Sequence, residues 1–231
     1  MKNKTYERIH NSVKQERDAL DLLWQKMDRD AYGRAIDLLC NSTLTVTSAC
    51  GSSGFAAKKF AHSLCCVECP GKFVPPSEAV HGGMGALQPG NVLILVSKGG
   101  KSEELLPLVS IARAKGAHLI AITANLESEI ARAAEVVLEM CCTPESDRYG
   151  VMSTSSFAST VAIFDALMVG LMEEKDYQLE SFGLIHPGGA VGKQINKTTQ
   201  VVLNDIQNKT VLIKLAGESA KFRAEVSRTY E

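Results

Sequence analysis

The segment Asn91-Val92-Leu93-Ile94-Leu95-Val96-Ser97 constrains this chain more than any other. It is apolar at odd and even positions alike, so both of its faces must be covered, as in an interior strand of a parallel sheet. It runs directly into Lys98-Gly99-Gly100-Lys101, followed by a helical pattern from Ser102 to about Lys115. The same order recurs along the chain. A β-branched run over 43–48 leads into Gly51-Ser52-Ser53-Gly54 and a helical stretch from Phe55 to Leu64. A short strand at 72–74, a strand at 118–123 and another at 136–138 follow the pattern, and residues 153–172 read as a long, mostly apolar helix. Five strands alternating with helices predict an α/β fold, a doubly wound parallel sheet with helices on both faces. Ligands of such sheets bind outside the carboxyl ends of the strands, where both glycine loops fall.

The flanks differ from this body. Residues 1–40 read as a helical section, with Ile9, Val13, Leu20, Leu23, Trp24 and Met27 on one apolar stripe and a break at Asp28 to Asp30. Such a section has too little core to stand alone and must pack on its own body or on a partner subunit. Uncovered, it exposes Ile9, Val13, Leu23 and Trp24, which predicts a homo-oligomer. The body spans 41–198 and a tail 199–231, where two apolar runs, Val201–Leu203 and Val211–Ile213, suggest a hairpin or an exchanged arm.

A formal net charge of −1 argues against a nucleic-acid partner. The polar opening Met1 to Arg8 lacks a secretory signal, and no uncharged apolar run reaches bilayer length, so no membrane partner is expected. Seven cysteines, an odd number, point to reduced thiols and a cytoplasmic setting. Cys65-Cys66-Val67-Glu68-Cys69 has metal-ligand residue types but no second ligand pair at zinc spacing, so structural thiols are expected, with no metal and no cofactor.

The chemistry concentrates in the loops. In Ser97-Lys98-Gly99-Gly100-Lys101-Ser102, glycines let backbone N–H groups approach an anion, and a following helix would point its positive end into the same space. Ser97 and Ser102 add hydroxyls, Lys98 and Lys101 add charge; the plain alternative is a turn with Ser102 as helix N-cap. Gly51-Ser52-Ser53-Gly54 and Ser153-Thr154-Ser155-Ser156 are further hydroxyl-rich turns, each also readable as a cap. Three such clusters converging on one cleft would suit a phosphorylated polyol. Glu78 and His81, three residues apart, could share a helical face. His186 precedes the rigid, glycine-rich Pro187-Gly188-Gly189.

On these residues the chain resembles the SIS (sugar isomerase) family over roughly residues 5–196, and within it the isomerase domain of arabinose-5-phosphate isomerases. The resemblance rests on Gly51 to Gly54, Ser77-Glu78-Ala79-Val80-His81-Gly82, Ser97 to Leu105, Leu119 to Asn125, the run from Ser153, and His186 to Gly192. It implies a flavodoxin-like three-layer sandwich and sugar-phosphate binding by Gly51, Ser52, Ser53, Glu78, His81, Ser97, Lys98, Gly100 and Ser102. It further implies aldose–ketose isomerisation through an enediolate, with Glu145 and His186 as base and acid or ring-opening partner in either assignment. It implies a homodimer or homotetramer as well, and in relatives the histidine matching His186 is often supplied across a subunit interface. Arabinose-5-phosphate isomerases of this family typically carry a lysine where Ser52 stands, a serine at Gly99 and a glutamate at Lys101. Lys101 would either replace the missing lysine electrostatically or grip phosphate. The family's regulatory CBS pair would not fit in the tail. The alternative is a non-catalytic sugar-phosphate-binding or regulatory module, with a nucleotide-sugar-binding protein as a third reading.

Overall fold

The computed structural model describes residues 1–195, and the tail 199–231 lies outside the described residues. The chain divides into two compact units, Met1–Tyr177 and Gln178–Glu231.

The first unit opens with helix α1, Asn3–Lys26, and helix α2, Arg29–Asn41. The break between them is set by Asp28, whose carboxylate accepts from the N–H groups of Asp30 and Ala31 at 2.9 and 3.1 Å and so caps α2. Then come β1 Thr45–Ala49, α3 Gly51–Cys66, β2 Gly71–Phe73, the single turn α4 Pro76–Ala79, β3 Val92–Val96, α5 Leu106–Lys115, β4 His118–Thr123, α6 Glu129–Ala133, β5 Val136–Glu139 and α7 Ser155–Glu174. The strands form one five-stranded sheet in the order β2-β1-β3-β4-β5, every pair parallel. The order reverses between β1 and β3, which makes the gap above their carboxyl ends the switch point where such sheets take ligands.

Strand β3 shows why the fold needs apolar residues at every position. Val92, Ile94 and Val96 join the core beneath α2, α3 and α7, with Leu39, Phe60, Leu64, Phe164 and Leu167. Leu93 and Leu95 join the opposite core beneath α5 and α6, with Leu105, Leu108, Leu119 and Ile130. Phe60 and Phe164 stack at 4.4 Å between ring centres, fastening α3 to α7. Helix α7 is apolar because it is surrounded, packing on α1, α2 and α3.

Two sequence expectations change here. The stripe of α1 splits into two faces: Ala19 and Leu23 turn inward, while Tyr6, Ile9, Val13, Leu20, Trp24 and Met27 are exposed. Leu23 is therefore core, not part of an open stripe. The helix expected from Ser102 begins only at Leu106. Pro107 is the physical reason: it has no N–H to give to Glu103, and in a continuous helix its ring would strike that carbonyl. At the second position of α5 both costs vanish.

All seven cysteines are free. Those of the 65–69 cluster turn to different partners: Cys65 Sγ to the Gly71 carbonyl, Cys66 Sγ to His62 Nε2, and Cys69 Sγ accepting from Lys175 Nζ. Among the described residues no three His, Cys, Asp or Glu side chains are grouped to hold a metal.

The second unit is described over 178–195. It contains α8, Leu179–Ile185, ending at His186.

Candidate functional site

Strands β1 and β3 pair level, Thr45 with Val92 through Ala49 with Val96, so the loops that leave them emerge side by side. The first loop enters α3 within one residue. Cys50 takes the cap position with no side-chain bond, and Gly51 follows at φ 55°, a left-handed conformation natural to glycine. Gly54 must also be bare, since a Cβ there would lie 2.9 Å from the Ala49 carbonyl. The opening N–H groups of α3 thus have no intrahelical partner, and Ser52 is exposed with Ser53 half-buried beside them.

The second loop is braced from below. Gly100 turns at φ 62° and donates its N–H to the Ser97 carbonyl at 3.0 Å. Any Cβ on it would overlap Ser128. Lys98 O accepts from Ala124 N–H and Thr123 Oγ1, and Asn125 Nδ2 reaches the Gly99 carbonyl at 3.3 Å. Ser97, buried, shares a hydroxyl–hydroxyl bond of 3.0 Å with Ser102. Ser102 is therefore not a helix N-cap; its hydroxyl belongs to the loop.

Glu145 is a buried carboxylate of this unit. It lies on the irregular segment between β5 and α7, and its side chain is 4% exposed. One oxygen, Oε1, accepts from Lys98 Nζ at 2.5 Å. The other, Oε2, accepts from the Thr154 N–H at 2.9 Å, Thr154 Oγ1 at 3.0 Å, Ser155 Oγ at 3.2 Å and the Ser156 N–H at 3.4 Å. Burial alone would push this carboxyl up; the bonds from Lys98, Ser156 and Thr154 outweigh it and hold the group at about 2. The hydroxyl run from Ser153, expected as a third phosphate loop, is thus largely spent on Glu145: an internal carboxylate occupies the positive end of α7. Ser153 and Ser156 bond each other there at 2.9 Å, and Ser155 Oγ also lies 2.8 Å from the Thr143 carbonyl.

The remaining candidates are placed separately. Glu78 and His81 do not share a helical face, because α4 ends at Ala79 and His81 lies beyond it, its N–H on the Glu78 carbonyl at 3.2 Å. Both are exposed, and neither side chain makes a hydrogen bond among the described residues. Lys101 is likewise exposed and without a side-chain bond among the described residues. His186 belongs to the second unit. Its ring stacks on Phe182 at 3.7 Å, and Nδ1 lies 2.9 Å from the Phe182 carbonyl. A carbonyl only accepts, so Nδ1 carries the proton and a neutral ring keeps its lone pair on Nε2.

The sequence pattern of the SIS domain matches residues 38–170, more than half of the chain. The chain belongs to the SIS domain family. Among curated members it is 30% identical over 200 residues to the arabinose 5-phosphate isomerase KpsF of Escherichia coli, covering 86% of this chain and 61% of that one. It is 35% identical over 180 residues to KdsD of Pseudomonas aeruginosa, also an arabinose 5-phosphate isomerase, covering 78% and 55%. The chain thus spans less than two thirds of the length of these curated relatives. Among solved structures, a Listeria monocytogenes protein proposed to be a sugar-phosphate isomerase superposes with TM-score 0.77 at 37% identity, covering 81% of this chain and all of that one. A protein of E. coli CFT073 in complex with arabinose 5-phosphate superposes with TM-score 0.71 at 26% identity, covering 81% of this chain and all of its own.

Sequence reasoning singled out Thr154, Ser155 and Ser156 as a hydroxyl cluster for phosphate and missed that they hold Glu145. The signal available was a helix start carrying four hydroxyl residues with no acidic residue in its first turn, a positive end awaiting an anion from elsewhere.

Proposed function

We propose that this SIS protein is a sugar-phosphate aldose–ketose isomerase resembling the arabinose-5-phosphate isomerases and working as a homodimer or homotetramer in the reducing cytoplasm. The observation that carries the reading is the buried Glu145 carboxylate held against Lys98 on a loop at the sheet's switch point. Isomerisation needs a group that moves a proton between adjacent carbons and a cation or donor that stabilises the enediolate oxygen. Glu145 is ionised at rest and can accept a proton. While paired it is a weak base. As substrate arrives, Lys98, half exposed, turns from Glu145 Oε1 to the sugar oxygen. That removes the strongest contact lowering the carboxyl and raises its basicity where the proton must be taken. Lys98 then faces the developing enediolate. The phosphate sits on the opening turn of α3 at Gly51, Ser52 and Ser53, with the Ser97 and Ser102 hydroxyls beside it and Lys101 adding charge. Glu78 and His81 bind sugar hydroxyls from the exposed rim.

One observation favours a second reading, a non-catalytic binding module: both Glu145 oxygens are already engaged. Turnover separates the two. Arabinose 5-phosphate and a panel of other pentose and hexose phosphates are offered, and aldose–ketose interconversion of at least one is expected. Binding of a sugar phosphate without conversion of any sinks the enzyme and leaves the module. For the enzyme, Ser102→Ala weakens binding by about ten- to a hundredfold. Lys101→Ala raises KM alone if Lys101 only grips phosphate, and lowers kcat as well if it meets the enediolate.

A further inference from the structure

The segment bearing Glu145 is tied on both sides of that residue to helix α1. Two residues before it, Thr143 Oγ1 donates to the Gln15 carbonyl at 3.0 Å; one residue after it, Ser146 Oγ bonds Ser12 Oγ at 2.9 Å. Both contacts are partly buried and bridge more than a hundred residues of sequence. A third tie, Lys26 Nζ to Glu139 Oε1 at 3.0 Å, fixes the far end of α1 to the end of β5. Ser12, Gln15, Ala19, Leu23 and Lys26 fall within an arc of about 80° on a helix of 3.6 residues per turn. The face that makes the ties is therefore the face that buries Ala19 and Leu23 against the body.

We infer that α1 is a positioning element for the Glu145 carboxylate, with Ser12 and Thr143 as the positioning residues. Each flanking residue is gripped twice. Thr143 donates its hydroxyl to α1 while its carbonyl accepts from Ser155 Oγ at 2.8 Å; Ser146 shares a hydroxyl–hydroxyl bond with Ser12 and donates its N–H to Thr154 Oγ1 at 2.9 Å. The carboxylate thus hangs between two residues clamped from α1 on one side and α7 on the other. Neither Ser12 nor Thr143 bonds Glu145, so loosening the ties leaves the carboxylate chemically intact and lets it wander. An error on the order of 1 Å in a reacting group costs about a hundredfold in rate. The loop after β3 is braced from elsewhere, by Thr123, Ala124 and Asn125 at the end of β4.

The inference rests on Glu145 being the proton-transfer group, so two readouts are taken. Thr143→Val keeps the shape and removes the donor; it is combined with Ser12→Ala and compared with Thr143→Ser, which restores the hydroxyl. Lys14→Ala serves as control, perturbing the exposed face of the same helix, where Lys14 pairs with Asp18. In the double variant, amide hydrogen exchange over 143–154 is expected to quicken about tenfold or more, and kcat to fall about ten- to a hundredfold with KM near that of the parent. Thr143→Ser and Lys14→Ala stay close to the parent in both. Unchanged exchange in the double variant, or equal loosening by Lys14→Ala, overturns the inference. A parent without turnover refutes the isomerase reading, and exchange alone then decides whether α1 positions the segment.

Discussion

At the scale of single residues, two positions bear most of the site. Gly100 needs both its positive φ and its missing Cβ, because a side chain there would overlap Ser128. The left-handed conformation alone costs an ordinary residue about 1–2 kcal/mol. Gly100→Ala should therefore lower stability by about 2 kcal/mol or more in urea titration and displace Lys98 with the loop. Glu145 makes the second claim. Its folded-state carboxyl lies below its ordinary value of 4.5, at about 2. The unfolded chain then binds the proton more readily, so the contribution is complete above about pH 4.5 and is lost as pH falls through about 2. Its size is on the order of 2–3 kcal/mol, reduced from the full difference because Lys98 meets solvent. Stability curves should show the parent weakening across that window more steeply than Glu145→Gln. Parallel curves would mean that the carboxylate is not held as described.

At the scale of elements, α1 has two faces with separate duties. Leu23→Ala opens a hole in packed core and should cost about 2–5 kcal/mol in urea. Trp24→Ala, one residue on but facing outward, should leave a protomer's stability within about 1 kcal/mol and shift sedimentation toward smaller species. Its apolar neighbours Tyr6, Ile9, Val13, Leu20 and Met27 fall within an arc of about 60°, the face on which we place the second copy. Trp24→Ala with unchanged sedimentation would remove that face from the assembly. These elements also mark how far the sequence could be read. Strand β3 was legible because an interior parallel strand must be apolar on both sides, as Leu93 and Ile94 are. The start of α5 was misread because Ser102 and Glu103 imitate a cap, while Pro107 decides by forbidding the earlier start. The split of α1 was hidden because its inner side is tied by Ser12 and Gln15 as much as by apolar residues. The hydroxyls of α7 were legible as an anion site, but not that the anion is Glu145, since nothing local to 153–156 records a partner at 145.

At the scale of the whole molecule, the doubly wound sheet brings the loops after β1 and β3 together, and the returning segment after β5 delivers a buried carboxylate to Lys98 of the second loop. The central claim is that this carboxylate moves a proton of a bound sugar phosphate. The most direct measurement follows arabinose 5-phosphate in deuterium oxide by proton NMR, with the parent and with Glu145→Gln. The account predicts that deuterium enters at C2 with the parent, and that Glu145→Gln slows this by about 10²–10⁴-fold while phosphate affinity stays near that of the parent. A parent that binds the sugar phosphate yet exchanges no C2 proton, or a Glu145→Gln variant that exchanges it as fast, would contradict the account.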